Sequence, residues 1–586
     1  MERYVIVGGV AGGMSAAARL RRIAEKAEII VIEKGGYVSY ANCGLPYYIG
    51  ETIRQREDLF VQTPESVLRR FNVDVRIHNE VMRINPDKKT LEIKDLAEGK
   101  TYSERYDKLI LSPGAEPVRP DLPGIASNKI FSLRTIPDTD RIKAYVDSAR
   151  PSRALIVGAG YIGVEMAENL QQRGVRITMV EMANQVLPVF DYEMAALIHR
   201  YLKNKNIEFY LNEAAAGFTE SGARIKTRLK SGREIETDMV VLSIGVKPDV
   251  AIAKAAGLAI GEKGGIVVNE YLQTSDPDIY ALGDAIEVTQ AITGRKAIIP
   301  LAGPANKQGR MVADNVAFGN RIKHKGTLGT AIAKIFDMTV AVTGANEKML
   351  KSEKISYQSA IVHPSSHAGY YPNPLPMSIK LLFSPGNGRI LGAQCVGYEG
   401  VDKQIDMLAT ALHYQGTIYD LTEIEHAYAP PYSSAKAPVN FAGFVAENIL
   451  TKKSQPITWD EIDKRDTDKS YLVDVRTPKE YQSGTIVGAV NIPVDILRDK
   501  LAMLPKDKEL IVFCRVGLRG YIAERILSQH GWKAVRNLSG GYITYAAATG
   551  KQDNSPGFGE SFDTGLHSDD GRQGKTDKFM EEKQIT

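Results

Sequence analysis

The strongest constraint on this chain is a supersecondary unit that occurs twice. YVIVGGVAGGMSAAARLRRI (4–23) followed by EIIVIEK reads as strand, glycine turn, helix and strand. RALIVGAGYIGVEMAENLQQRGVRITMVE (153–181) repeats the plan. An apolar, β-branched strand that turns through glycines straight into a helix must lay that helix back across its sheet. Two such units commit much of the chain to layered α/β structure.

The glycines say what the turns do. In GAGYIG, Gly158 permits the tight turn, Gly160 lets a pyrophosphate approach the backbone and Gly163 lets the helix pack on its strand. Tyr161 and Ile162 open the helix, whose N-terminal amides face the phosphates. Glu181 ends the next strand, placed to accept hydrogen bonds from a ribose diol and to repel a 2′-phosphate. This predicts a nicotinamide site for NADH in preference to NADPH. GGVAGG is a variant, with Gly8 and Gly13 outside, Val10 in the middle-glycine position and Ala11 opening the helix. Glu33, followed by Lys34, ends its second strand. A later strand in TSDPDIYALGDA ends at Gly283-Asp284, an aspartate suited to a ribityl chain. Two dinucleotide folds predict one for FAD and one for the nicotinamide that reduces it.

At 586 residues the chain exceeds a single core and should hold three or four domains. The expected partition is a discontinuous FAD-binding domain at 1–114 and 244–325, interrupted by an NAD(P)H-binding domain at 115–243. A dimerisation domain at 326–448, a linker at 449–456 and a further domain at 457–550 follow. The Gly/Ser/Asp/Lys-rich tail, 551–586, reads as disordered. A net charge of +4 makes no case for nucleic acid, and no apolar run approaches the length of a membrane span. The opening residues show no signal-peptide pattern. Three scattered cysteines make neither a disulfide framework nor a zinc site, so cytoplasmic, reducing surroundings and no metal are expected.

In SYANCGLPYYIG, Cys43 is alone, with a polar Asn42 before it and Gly44 after it. SYANCGLPYYIGE, YDKLILSPGA, GAGYIG, YALGDA and EIEHAYAPPYSSAKAPVN together resemble the two-dinucleotide-fold flavoprotein reductases, and within them the coenzyme A disulfide reductases. The likeness spans roughly residues 1–447. Relatives of the glutathione reductase type carry two cysteines spaced CxxxxC, whereas this chain has Tyr48 at the second place. The resemblance therefore implies that Cys43 forms a mixed disulfide with coenzyme A, reduced through flavin by NADH. The thiolate is the nucleophile in such exchange. The sibling oxidases and peroxidases carry a histidine in the first glycine turn. GGVAGG has none, which disfavours oxygen or peroxide as the acceptor.

Further roles follow from the resemblance alone. Arg22, Ser39, Asn42, Asn306 and Lys436 match coenzyme-contacting positions. Tyr370 and Tyr428 match tyrosines lent across a homodimer to the partner's site, with Tyr371 the neighbouring alternative to Tyr370. Phe71 stands where relatives place a basic residue, and Arg69 and Arg70 adjoin it. Cys395, after an apolar strand, reads as structural.

The last domain carries its own signature. YLVDVRTPKEYQSGTIVGAVNIP and LIVFCRVGLRG resemble a rhodanese. Cys514 ends a strand, Gly517 permits an unusual backbone angle, and Arg515 and Arg519 add positive charge. A six-residue loop from Cys514 to Arg519 is an anion nest suited to a persulfide. Many rhodaneses have GHI where this chain has Gly484-Thr485-Ile486. The expected fold is thus α/β: two Rossmann-like domains, an α+β dimerisation domain and an α/β rhodanese domain. The expected activity is NADH-dependent reduction of coenzyme A disulfide, coenzyme A persulfide or polysulfide. Two alternatives remain: a thiol-homeostasis reductase with an independent sulfurtransferase, and a redox-sensing flavoprotein.

Overall fold

The computed structural model describes residues 2–551, so the expected tail, Lys551 apart, lies outside the described residues. The first glycine unit starts a parallel sheet. β1 (Arg3–Val7) pairs with β2 (Glu28–Ile32) on one side and β4 (Lys108–Leu111) on the other, and β3 (Asp74–Arg76) extends β2. Helix α1 (Ala11–Ile23) crosses between β1 and β2, and the short α2 (Leu45–Ile49) follows. The second unit builds β5 (Ile130–Ser132), β6 (Arg153–Val157), β7 (Arg176–Glu181), β8 (Glu208–Leu211) and β9 (Met239–Leu242), parallel in the order β8-β7-β6-β9-β5. Helix α3 (Tyr161–Gln172) crosses between β6 and β7, and α4 (Tyr192–Asn204) leads to β8. The chain then returns, and β10 (Ile279–Ala281) pairs with β4 to complete the first sheet as β10-β4-β1-β2-β3. The two crossovers run side by side as a short antiparallel ribbon, Ala115–Pro117 against Val246–Pro248.

The central strands are covered on both faces, which is why they read as unbroken apolar runs instead of alternating ones. Helix α5 (Ala302–Phe318) packs on α1, and the salt bridge from Arg19 to Asp314 at 2.7 Å joins the two helices.

A third sheet is antiparallel: β11 (Ala331–Ile335), β12 (Met338–Gly344), β13 (Gln358–Val362), β14 (Met377–Phe383) and β15 (Ile390–Gly397), in the order β11-β12-β15-β14-β13. Every residue of β14 is buried, Lys380 included. Its Nζ meets Asp191 at 2.9 Å, Glu193 at 2.5 Å and Glu347 at 2.6 Å. Asp191 stands just before α4, and Gln394 of β15 both donates to its carboxylate and accepts from its N–H. One buried cation thus ties α4 to the antiparallel sheet. Burial pushes Asp191 up against the pull of Lys380. Burial also pushes Glu347 up, but Lys380 and Lys351 more than offset it and bring it down to about 2.

The last sheet is parallel again: β16 (Pro456–Ile457), β17 (Ser470–Asp474), β18 (Val490–Asn491), β19 (Glu509–Phe513) and β20 (Val535–Leu538), in the order β16-β20-β19-β17-β18. Val473, Leu510 and Val512 face one core, and Leu472, Ile511 and Phe513 the other, as the period of two requires. Helices α6 (Leu518–Gln529) and α7 (Gly541–Thr549) cover it. This unit is seated on the rest of the chain. Helix α7 packs on α4, Ile543 and Ala547 join the apolar cluster of Leu187 and Phe190, and the Trp459 ring lies 5.5 Å from that of Tyr192. The α/β class and the α+β character of the third domain agree with expectation.

The Lys380 cluster gives a stability test. Lys380→Met leaves the buried Asp191 and Glu193 without a cation and Glu347 with Lys351 alone, an expected loss of about 3–5 kcal/mol at pH 7. The loss should shrink at pH 5. Carboxylates stripped of their cation have folded-state pKa values above their unfolded ones, so stability lost as pH rises returns as pH falls. Thermal melts of parent and variant at both pH values check this; equal losses would absolve the carboxylates.

Candidate active site

The two glycine turns lie on one large cleft of about 1890 Å³. Gly8 has φ +99°, and a Cβ there would sit 2.0 Å from Ser112 O; a Cβ on Gly13 would sit 1.9 Å from Gly8 O. Gly158 and Gly163 repeat this against Ser243 O (2.4 Å) and Gly158 O (2.1 Å). These four glycines bring backbone against backbone behind each turn. Gly160 differs: a Cβ would meet nothing within 4 Å, and the residue lines the cleft. Val10 occupies the equivalent place with φ −103°, a negative angle that a β-branched residue can adopt.

The acids at the strand ends are duplicated as well. Glu33 accepts from Gly9 N and Gly35 N, both at 2.7 Å. Glu181 accepts from Ala159 N at 2.7 Å and Ala183 N at 2.8 Å. Each carboxylate locks its glycine turn to the strand that follows. Glu181, Tyr161 and Ile162 line the cleft, as do Val10 and Ala11. Lys34 is turned to Asp249 (3.2 Å) and Glu116 (3.8 Å). Open glycine turns, helix N-termini and a carboxylate at each strand end fit two dinucleotides, one per sheet.

Cys43 sits on a 3₁₀ turn, Asn42–Gly44, that runs into α2. Its sulfur is exposed and lines the cleft. Ser39, in the left-handed region at φ +47°, donates its N–H to Gly9 O at 2.8 Å, and α2 packs on α3. The cysteine segment is therefore held between the first glycine turn and the helix that follows the second.

Arg134, which carried no motif signal, organises this region. Its guanidinium meets Asp284 at 3.0 Å. With its amide oriented to satisfy both groups, Asn42 donates to Arg134 O at 2.8 Å and accepts from Arg134 Nη1 at 3.3 Å. Glu165, two residues beyond the last glycine of GAGYIG and outside the motif reading, also lines the cleft. Burial and Glu168 push it up to about 7, with Tyr47 pulling back. Burial pushes the Cys43 thiol up, Glu165 adds to this, and Arg134 works against it. The chain's own charges thus favour the thiol, where the chemistry requires a thiolate.

Of the expected coenzyme residues, Arg22, Ser39, Asn42 and Asn306 line the same cleft as Cys43. Phe71 lines it too, whereas Arg69 and Arg70 are exposed and stand outside its lining; Arg310 is a further basic residue of the cleft. Lys436 lies outside this cleft, its Nζ 6.0 Å over the Phe441 ring. Tyr370 and Tyr428 are exposed and hydrogen-bonded to each other through their hydroxyls, also outside the lining. Cys395 is fully buried on β15, where burial pushes its thiol far up.

Cys514 ends β19, is fully buried and lies outside the large cleft. Gly517, at φ +105°, caps α6 and donates its N–H to Cys514 Sγ at 3.1 Å. Arg519 interacts with that sulfur but spends its fork on Glu480, with two bonds of 2.7 Å. Burial pushes Glu480 up, yet Arg519 brings it down to about 2. The charge expected from Arg519 is thus largely neutralised, and the Gly517 amide is the backbone donor that reaches the sulfur. Thr485, standing where rhodaneses have histidine, donates to Asp474 at 2.8 Å, so a hydroxyl supplies a donor there.

A family model described as pyridine nucleotide-disulphide oxidoreductase matches residues 2–309, and that family's dimerisation domain matches 330–438. A rhodanese-like domain matches 458–548. A coenzyme A disulfide reductase of Staphylococcus haemolyticus is 36% identical over 449 residues, 77% of this chain and 100% of that protein. The crystal structure of reduced Bacillus anthracis CoADR-RHD superposes with a TM-score of 0.92 at 51% identity, covering 94% of this chain and 98% of that one. A NAD-dependent persulfide reductase from A. fulgidus superposes at 0.87 with 35% identity, covering 93% and 100%.

Glu165→Gln removes a like charge beside the Cys43 thiolate. The pH midpoint of Cys43 alkylation should therefore move down, with faster labelling near neutral pH. Labelling by iodoacetamide, followed at Cys43 by mass spectrometry across pH, checks it. An unmoved or raised midpoint would remove Glu165 from the control of this sulfur.

Proposed function

Because this chain belongs to the pyridine nucleotide-disulphide oxidoreductases and carries a rhodanese-like domain, we propose that it is an FAD-dependent NAD(P)H reductase of coenzyme A disulfide and coenzyme A persulfide. The observation that carries this is Cys43: an exposed sulfur on the cleft shared by both glycine turns, with Tyr48 where a second redox cysteine would stand. Gly8, Gly13, Glu33 and Asp284 would hold FAD, and Gly158, Gly160, Gly163 and Glu181 the nicotinamide nucleotide. A carboxylate at the ribose favours NADH. When bound, the two cofactors supply the pair of electrons that cleaves a sulfur–sulfur bond.

The chain's own work is exchange and positioning. Cys43 thiolate attacks coenzyme A disulfide and expels one coenzyme A thiolate, leaving a Cys43–coenzyme A mixed disulfide. From coenzyme A persulfide the same attack, at the sulfur bound to carbon, expels HS⁻ and leaves the same mixed disulfide. Two electrons then return Cys43 to thiolate and release coenzyme A. Arg134 holds Asn42 and Asp284 around the sulfur and favours its charged form. Arg22, Ser39, Asn42 and Asn306 face the arriving coenzyme. Cys514 handles sulfane sulfur: coenzyme A thiolate takes the outer sulfur of Cys514–S–SH, giving coenzyme A persulfide and Cys514 thiolate. The chain acts as a homodimer in a reducing, cytoplasmic compartment. Tyr370 and Tyr428, side by side on the third domain's surface, serve the partner's cleft.

One observation favours a second reading. Cys514 is buried and lies outside the cleft that Cys43 lines, as suits a sulfurtransferase that works independently.

Three outcomes separate these. Cys43→Ser should reduce NADH oxidation with either substrate below about one thousandth of the parent rate. Cys514→Ser should keep coenzyme A disulfide reduction and lose sulfide production from thiosulfate with catalytic coenzyme A; retention of both would support the independent reading. For the tyrosines, Cys43→Ser and Tyr428→Phe chains combined in one dimer should recover more activity than either variant alone. No recovery would remove the shared site.

A further inference from the structure

The Cys514 loop does not stand on the rhodanese sheet alone. Its outer wall is the N-terminus of α7, where Tyr542 N donates to Cys514 O at 2.8 Å and Ile543 N donates to Arg515 O at 3.1 Å. The fit is close enough that a Cβ on Gly541 would sit 2.6 Å from Arg515 O. In a trans peptide the carbonyl and the following N–H point opposite ways. Fixing these two carbonyls against α7 turns the N–H groups of Arg515 and Val516 away from it and into the loop. These are the amides an anionic sulfur needs.

Helix α7 is in turn held from outside its own domain. His363 follows β13 in the antiparallel sheet. Its Nδ1 lies 2.8 Å from Ser378 Oγ on the fully buried β14, and its Nε2 lies 3.0 Å from Thr544 Oγ1 on α7. The Thr544 hydroxyl proton is committed to Gly540 O at 3.1 Å, so Thr544 accepts from His363. The imidazole therefore carries its proton on Nε2 and accepts from Ser378 at Nδ1. Burial, against a hydrogen bond to the Gly540 backbone and with the nearby Arg515 charge, brings its pKa down to about 4, so the ring is neutral. Ile361 of β13 packs beside Gly540, and Val516 of the loop lies in the apolar cluster that also takes Leu187 and Phe190 of the second domain.

We propose that His363 is a positioning residue for sulfur transfer: through Thr544 and the start of α7 it sets the carbonyls of Cys514 and Arg515, so that the persulfide site takes its working shape only on the reductase body. This rests on reading Cys514 as a sulfurtransferase cysteine. The reductase does not rely on it, since His363 is absent from the Cys43 cleft.

The test uses the full-length, flavin-loaded protein and three variants: His363→Ala, His363→Gln and Thr544→Val. Gln can present one donor and one acceptor in place of the imidazole. Thr544→Val keeps shape and removes only the hydroxyl, so it decides the matter if His363→Ala fails to fold. Cys514 alkylation by iodoacetamide at pH 7, quantified by mass spectrometry, and sulfur transfer from thiosulfate to cyanide are measured together. In His363→Ala and Thr544→Val, alkylation and kcat for thiosulfate should each fall about ten-fold, the factor one lost hydrogen bond is worth. KM should change less. His363→Gln should recover most of both, and NADH-dependent reduction of coenzyme A disulfide should stay within about two-fold of the parent. Unchanged alkylation in both variants overturns the proposal. So does faster alkylation, which would mean an unfolded loop exposing a buried sulfur. If the parent itself transfers no sulfur, the sulfurtransferase reading falls, and the alkylation comparison alone decides the role of His363.

Discussion

Everything at the large cleft depends on backbone meeting backbone behind two glycine turns. At Gly8 and Gly13, and again at Gly158 and Gly163, a single added carbon would lie 1.9–2.4 Å from a carbonyl oxygen. That proximity lets α1 and α3 run directly off their strands with their N-termini aimed into open space. A helix displaced by a side chain at those points would aim its amides elsewhere. The carboxylates of Glu33 and Glu181 then pin each turn to the next strand. Cys43 inherits this order, because Ser39 is bonded to Gly9 and α2 rests on α3. Its address is set by both dinucleotide folds at once, which is what electron transfer between two cofactors and one sulfur requires.

The electrostatics around that sulfur are finely divided. Glu165 and burial hold the proton on, and Arg134 pulls it off. A permanently charged thiolate facing solvent would be open to oxidation whenever the enzyme idled. A sulfur that the polypeptide alone leaves as a thiol gains its nucleophilicity from whatever else enters the cleft. The second sulfur site follows a different design: Cys514 is buried and accepts the Gly517 N–H, with Arg519 engaged by Glu480.

What was legible in the sequence was local. Glycine turns, strand-end acids, the lone Cys43 and the CRVGLR loop each lie within one short stretch; the work of the first two follows from residue type and spacing, and that of the two cysteines from the family resemblances they carry. What escaped was tertiary. Arg134 sits in an unremarkable segment and matters because folding places it between Asn42 and Asp284. Lys380 stood in an apolar run, with nothing to show that three distant carboxylates would surround it. Lys34 follows the ribose acid in sequence, but folding brings Asp249 to it. His363 is one of nine histidines, and its partners Ser378 and Thr544 are remote in sequence. Tyr370 and Tyr428 were matched to a homodimer's shared site, and in one chain they adjoin each other at the surface, outside that chain's own cleft.

The strand order β10-β4-β1-β2-β3 carries a consequence for how the chain is made. The first domain begins synthesis first but receives its fifth strand, and the α5 helix that packs on α1, only after the whole second domain has emerged. At ordinary elongation rates that interval is roughly 10–30 s, long compared with the folding of a parallel sheet of this size. The inserted domain, whose ends meet in the Ala115–Pro117 and Val246–Pro248 ribbon, is complete by then. The ribosome thus delivers a finished second domain beside an unfinished first domain whose sheet edge at β4 is bare. During that interval the bare edge can template pairing with another chain, and β10 ends the exposure when it pairs with β4.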